Sequence, residues 1–276
     1  MPGTLYLAAT PIGNLGDISH RLAETLETVD FIAAEDTRVS IKLLNHLDMK
    51  KPMVSYHRHN TESGGQVILD RLLAGESCAL VSDAGTPAVS DPGEELVARC
   101  AALDIPVVAI PGPCALVAAL AVSGLPTGRF TFEGFLAMNK KNRRAHLESL
   151  RGEARTMLFY EAPHKLPATL RDLCETFGGA RRVAVCKELT KLHEQVWRTT
   201  LEEAAAWYAE NPPRGEFVLV LEGEALTPVE GIALEEGVAR VHALQRGGLS
   251  LRDAVRQAAS ETGLGKNELY QAALEK

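Results

Sequence analysis

Apolar positions along the chain fall into two alternating kinds of segment. Short runs rich in β-branched residues occupy positions 4–9, 31–34, 53–56, 78–82, 107–110, 156–160, 183–187 and 217–222. They are near-continuously apolar rather than strictly alternating, which predicts strands buried inside α/β layers. Between them, residues 18–29, 65–73, 93–103 and 165–177 carry apolar side chains at helical spacing. Strand–helix alternation of this kind predicts an α/β fold with largely parallel sheets. The breaker cluster Ser123-Gly124-Leu125-Pro126-Thr127-Gly128 follows a long Ala/Val/Leu helix and predicts a domain boundary. A second boundary is expected at Leu226-Thr227-Pro228, after which the pattern is purely helical. The expected domains are therefore residues 1–124, 125–227 and a helical module over 228–276.

In open α/β sheets, ligands bind beyond the carboxyl ends of the strands, and here those ends are the unusual part of the sequence. They read Thr10-Pro11-Ile12-Gly13-Asn14, Glu35-Asp36-Thr37-Arg38, Tyr56-His57-Arg58-His59-Asn60, Ser82-Asp83-Ala84-Gly85-Thr86-Pro87 continuing to Ser90-Asp91-Pro92-Gly93, and Pro111-Gly112-Pro113-Cys114-Ala115. Two more follow in the second half, Tyr160-Glu161-Ala162-Pro163-His164 and Lys187-Glu188-Leu189-Thr190-Lys191. One such loop is only a turn; seven in succession point to a composite cleft. No GxGxxG follows the first strand, and the nearest approach to a P-loop, Ser260 to Asn267, lacks the first Gly and the final Ser/Thr. The loops therefore suit a nucleoside ligand without a polyphosphate.

Composition adds limits. The 276 residues are 46% hydrophobic and 24% charged, ordinary for a globular protein and unlike a disordered or fibrous chain. The N-terminus has no basic region ahead of an apolar stretch, and no run reaches the ~18 residues of a membrane span. The five cysteines form no CxxC and stand near no His at zinc-like spacing, which predicts reduced thiols in the cytoplasm and no metal centre. The net charge of −7 argues by itself against nucleic acid. It is not uniform, however. Residues 1–136 hold 9 basic and 16 acidic side chains, whereas residues 137–198 hold 13 and 7, densest at Lys140-Lys141-Asn142-Arg143-Arg144. A basic stretch of this kind suits phosphate contacts; the competing view is a solvated loop.

Taken in order, LYLAATPIGNLGDIS, AAEDTR, SYHRHN, LVSDAGTPAVSDPG, IPGPCA, FYEAPHK, KELTKLHE and GEFVLVLEG resemble the tetrapyrrole (corrin/porphyrin) methylase superfamily. Within it, they resemble the ribosomal RNA small subunit methyltransferase I family, which 2′-O-methylates a cytidine ribose in 16S rRNA. The resemblance implies two α/β domains with S-adenosylmethionine in the cleft between them, a small-ribosomal-subunit substrate and a homodimer. It places Pro11, Ile12, Asp83, Gly85 and Thr86 at the methionine part of the cofactor. Cys114 and Ala115 would touch cofactor after the fifth strand, with Cys114 standing where Ser is common. Tyr160, Leu189 and Val218 would form the adenosine-side wall. The tail supports an RNA reading: Ser250-Leu251-Arg252-Asp253 opens a helix, Thr262-Gly263-Leu264-Gly265 is a short turn, and residues 266–274 form another helix. The arrangement resembles a helix-turn-helix; a plain helical hairpin is the alternative.

Methyl transfer to a hydroxyl is helped by a general base. Strand-end candidates are Glu35, Asp36, His57, His59, His164 and Glu188, with Glu35, Asp36 and Glu188 favoured. Arg38, His57, Lys140, Lys141, Arg143 and Arg144 are the expected RNA contacts, with Lys187 and Lys191 as further phosphate ligands. Two rivals stay open: a small-molecule methylase acting on a tetrapyrrole, and a non-catalytic RNA-binding assembly factor.

Overall fold

The structure is a computed structural model and describes residues 1–225 and 233–274. The chain forms two compact units, Met1–Gly223 and Glu224–Lys276. The expected boundary at Leu226-Thr227-Pro228 lies outside the described residues.

The first unit opens with β1 (Leu5–Ala8), α1 (His20–Thr28), β2 (Phe31–Ala34), α2 (Thr37–His46), β3 (Met53–Ser55), α3 (Thr61–Leu73), β4 (Cys78–Val81), α4 (Glu94–Ala102), β5 (Val107–Ile110) and α5 (Ala115–Val122). Its five strands lie in the order β3-β2-β4-β1-β5 and are parallel throughout. Every residue of β2 and β4 is buried, because helices cover both faces. This is the physical reason their sequences are unbroken apolar runs. Parallel pairing also sends every strand-end loop to the same edge of the sheet.

The unit continues with β6 (Phe130–Phe135), α6 (Lys140–Ser149), β7 (Thr156–Glu161), α7 (Leu166–Phe177), β8 (Arg182–Lys187), β9 (Gln195–Thr200), α8 (Leu201–Glu210) and β10 (Phe217–Leu221). These strands form a second sheet ordered β6-β7-β10-β8-β9. Only β6 and β7 pair in parallel; β10 runs antiparallel to both its neighbours, and β9 is antiparallel to β8. The expectation of largely parallel sheets is thus correct for the first sheet and wrong for the second. An apolar run reports burial on two faces, not strand direction. β6 and β9 were not expected as strands. They are the two edges of this sheet: β6 carries a register shift between Phe132 and Gly134, and in β9, QVWRTT, only the adjacent Val196 and Trp197 are apolar.

The two sheets share a core through α5. This helix is apolar on all sides, ALVAALAV, and its Leu116, Ala119 and Leu120 pack against Leu158, Ala184, Cys186, Val218 and Val220 of the second sheet. It thus joins the last strand of the first sheet to the face of the second, and its sequence needs no polar stripe.

The second unit contains α9 (Leu234–Arg246), α10 (Leu251–Thr262) and α11 (Lys266–Leu274). Val238, Val241, Ala254, Val255, Ala258 and Leu269 form its own small core. The Ser250 hydroxyl oxygen accepts the Asp253 N–H at 3.2 Å and caps α10, as the sequence predicts. Among the described residues, no helix is long and apolar enough to cross a membrane.

Candidate active site

The strand-end loops of both sheets enclose a cavity of about 410 Å³ within the first unit, a size typical of small-molecule sites. Nine of the ten residues expected to meet a cofactor line it: Ile12, Asp83, Gly85, Thr86, Cys114, Ala115, Tyr160, Leu189 and Val218. Pro11 does not.

Backbone pairing fixes the loops to one another. Thr10 and Gly85 exchange N–H···O=C bonds of 2.9 and 3.0 Å, tying the loop after β1 to the loop after β4. Gly85 sits at φ +83°, and a Cβ there would come within 3.2 Å of Ile12 Cγ2, so glycine keeps this wall of the cavity thin. The Thr86 hydroxyl donates to the Pro113 carbonyl at 3.1 Å, adding the loop after β5. The Tyr160 hydroxyl oxygen accepts the Leu116 N–H at 3.1 Å, and its ring meets Phe132 and Phe135 edge-on. Burial pushes the Tyr160 phenol up to about 12, so it stays neutral.

Three carboxylates, Glu35, Asp83 and Asp91, gather at one side of the cavity. Asp83 accepts the Asp36 N–H at 3.1 Å. Burial and then the Asp83 charge raise the pKa of Glu35. Burial and then the Glu35 charge push Asp91 up to about 6, although the Ser82 side chain pulls it down. Asp91 follows two non-glycine residues with left-handed backbone, Ala88 at φ 65° and Ser90 at φ 67°. Such conformations persist only where the surroundings impose them.

The other favoured acids lie elsewhere. Asp36 caps α2 by accepting the Arg38 N–H at 2.8 Å and forms an ion pair with the Arg38 guanidinium. These bonds hold its carboxyl down to about 2, and neither residue lines the cavity. Glu188 accepts from Lys191 Nζ at 2.8 Å and from the Glu216 N–H at 2.9 Å, which lowers its pKa. It also lies outside the cavity, although its neighbour Leu189 is inside. The His57 N–H donates to Asn60 Oδ1 at 2.7 Å, and its ring faces that of His59.

The basic run is helical rather than a loop. It forms the first turns of α6, where Asn139 Oδ1 accepts the Lys141 N–H at 2.9 Å. Lys140 and Lys141 are exposed and make no ion pair among the described residues. Arg143 is bound to Asp172 at 2.5 Å with both side chains largely buried, and Arg144 pairs with Glu175 at 3.2 Å. The four cations therefore divide into two free and two committed to α7.

Sequence reasoning placed Asp91 and Glu161 in the cleft loops without giving them a site role, and missed Phe135 and Glu216 as cavity-lining residues. The segment Ser90-Asp91-Pro92-Gly93 reads as part of a cleft loop, but nothing local shows that Asp91 lies near Glu35.

Fold and cavity together define the class: the model of the tetrapyrrole (corrin/porphyrin) methylases matches residues 4–205, and that of the RsmI C-terminal HTH domain matches residues 232–276. Among solved structures, a Thermus thermophilus uroporphyrin-III C-methyltransferase complexed with S-adenyl homocysteine matches with a TM-score of 0.57. It is 17% identical and covers 80% of this chain and 97% of its own, a likeness of fold. A ribosomal RNA small subunit methyltransferase I from Synechocystis sp. is 52% identical over 99% of this chain and 98% of its own length. Its namesake from Halalkalibacterium halodurans is 46% identical over 97% and 93%. The chain belongs to the ribosomal RNA small subunit methyltransferase I family.

Proposed function

We propose that this protein transfers a methyl group from S-adenosylmethionine to the 2′-oxygen of a cytidine ribose in 16S rRNA of the small ribosomal subunit. The observation that carries this reading is the cavity itself, with an apolar wall at one side and Glu35, Asp83 and Asp91 at the other. Ile12, Val89, Leu189 and Val218 suit the flat adenosine. Glu35 and Asp83 suit a ligand that carries an ammonium and a sulfonium and no phosphate. When bound, S-adenosylmethionine supplies a methyl group on positively charged sulfur.

Residues of the chain do the rest. The Thr10–Gly85 and Thr86–Pro113 bonds hold the loops that position the cofactor, so oxygen, methyl and sulfur can be brought into line. Lys140 and Lys141 start only five residues after the cavity-lining Phe135. Even fully extended, five residues span at most ~18 Å, which keeps these cations within reach of the phosphates flanking a ribose in the cavity. Arg38, after β2, and His57, after β3, would be further RNA contacts. The protein acts in the cytoplasm as a homodimer, with the helical unit as a second RNA contact. The test is tritiated methyl transfer from S-adenosylmethionine to small subunits from a strain lacking the enzyme, followed by mapping of the label. Label on the 2′-oxygen of one 16S cytidine is expected; label on a base, or none, would sink the reading.

A further inference from the structure

We propose that Asp91 is the proton acceptor of the methyl transfer, presented to the cavity by the left-handed backbone of Ala88 and Ser90. The proposal rests on the cavity being the methyl-transfer site.

It follows from what every other acid around the cavity is already doing. Asp36 is bound to Arg38, and Glu188 and Glu216 share Lys191. Glu161 lines the cavity but is buried, and it accepts from the Thr169 hydroxyl at 2.5 Å and from the Ala162 N–H at 2.8 Å. Asp83 holds the Asp36 N–H. Among the described residues, the cavity carboxylates Glu35, Asp83, Asp91 and Glu161 make no ion pair; Asp83 and Glu161 accept the hydrogen bonds just named, and of the remaining two Asp91 is the one on the strained loop.

Its surroundings favour proton capture near neutrality. Glu35 from the end of β2 and Asp83 from the end of β4 face it with negative charge, while Arg58 beyond β3 opposes them. Tyr160 on β7 lies near enough to feel the Asp91 charge and stays a neutral phenol. The Ser82 side chain is its polar neighbour. A carboxylate titrating near 6 is ionised at pH 7 yet basic enough to accept a proton, the match that general-base catalysis needs. Asp36, held near 2, is a far weaker base.

The step balances without a further reactant. The ribose O–H bond breaks and its proton goes to an Asp91 carboxylate oxygen. The oxygen pair forms the O–CH₃ bond, the C–S bond breaks, and its electron pair stays on sulfur as a neutral thioether. Asp91 then returns its proton to water.

The experiment compares Asp91→Asn and Asp91→Glu with the wild type in three measurements: S-adenosylhomocysteine binding by calorimetry, kcat against pH, and carboxyl ¹³C titration of the free protein. Asp91→Asn is expected to lower kcat by at least about 100-fold, to change the S-adenosylhomocysteine Kd less than twofold, and to abolish the acidic limb of the pH profile. Asp91→Glu is expected to restore part of kcat together with that limb. Should Asp91→Asn not fold, the carboxyl titration decides: a midpoint near 6 supports the assignment and one below 4 overturns it. Retained kcat with a retained acidic limb overturns it. So does a Kd raised more than tenfold with kcat kept, which would make Asp91 a holder of cofactor charge. Wild-type protein that binds no S-adenosylhomocysteine would instead remove the reading of the cavity, and the proposal with it.

Discussion

Asp91 and Glu188 are carboxylates on two loops that serve the same cavity. Both loops carry non-glycine residues in left-handed backbone: Ala88 and Ser90 beside Asp91, Glu188 itself and Thr190 on the other side. Their acids behave oppositely. Asp91 lies among like charges and is pushed up to about 6, whereas Glu188 faces Lys191 and is held below the usual carboxylate range. The difference shows that residue type and loop strain do not assign a role; the charge of the neighbours does. Glu188 joins Lys191 to Glu216 and thereby places Leu189 in the cavity wall, while Asp91 lines the cavity without an ion pair among the described residues.

Five changes test that contrast and the division of the basic run. The largest effect on stability is expected from Gly215→Ala. Gly215 has φ +89°, and a Cβ there would come within 2.6 Å of Glu188 Cγ and Cδ. Left-handed strain and the clash together should cost about 3 kcal/mol, read as a lower denaturant midpoint. Cofactor binding should weaken with it, because Leu189 shifts.

Glu188→Gln is expected to cost about 1 kcal/mol at pH 7. Because the folded pKa is lowered, the ionised carboxyl contributes stability above its unfolded value, and that contribution disappears as pH falls through the lowered folded value. The variant and wild type should therefore converge in acid. The acidic limb of kcat should persist; its loss in this variant would move the base from Asp91 to Glu188.

Asp91→Asn should do the reverse. With the folded pKa raised from 3.8 to about 6, the group favours folding when protonated, and that advantage is lost as pH rises through about 6. The variant should match wild type at pH 3 and exceed it at pH 8 by about 1 kcal/mol, after discounting for partial solvent screening. Thermal unfolding at the two pH values checks the sign.

Smallest in stability is Lys140→Ala with Lys141→Ala, exposed side chains whose loss should leave unfolding within about 0.5 kcal/mol. Their effect belongs to binding: the log–log salt slope for small subunits should fall by about 2. Arg143→Ala should instead destabilise the fold, because it leaves Asp172 without its partner. An unchanged slope for the lysine pair would remove α6 from the RNA surface.

Much of this molecule is legible in the chain. β2 and β4 read as buried strands because helices cover both their faces, and Ser250 reads as a cap because its partner is three residues away. β6 and β9 did not, since edge strands need only one neighbour and tolerate a bulge or mostly polar residues. Most of the cavity wall followed from the strand-end loops, Ile12, Gly85 and Leu189 among them. Glu35 and Asp36 are adjacent in sequence and equally plausible as bases there. In the structure one lines the cavity and the other closes on Arg38 two residues away.

The sequence by itself determined the alternation of strands and helices, the loops that bear the chemistry, and the uneven charge that marks residues 137–198. These are local properties, set by spacing and by residues close along the chain. Only the tertiary structure decided the antiparallel course of β10, the commitment of Arg143 and Arg144 to α7, and the opposite fates of Asp91 and Glu188. A pKa or an ion pair depends on groups that are distant in sequence and close in space, and a carboxylate's role is set by what folding brings beside it.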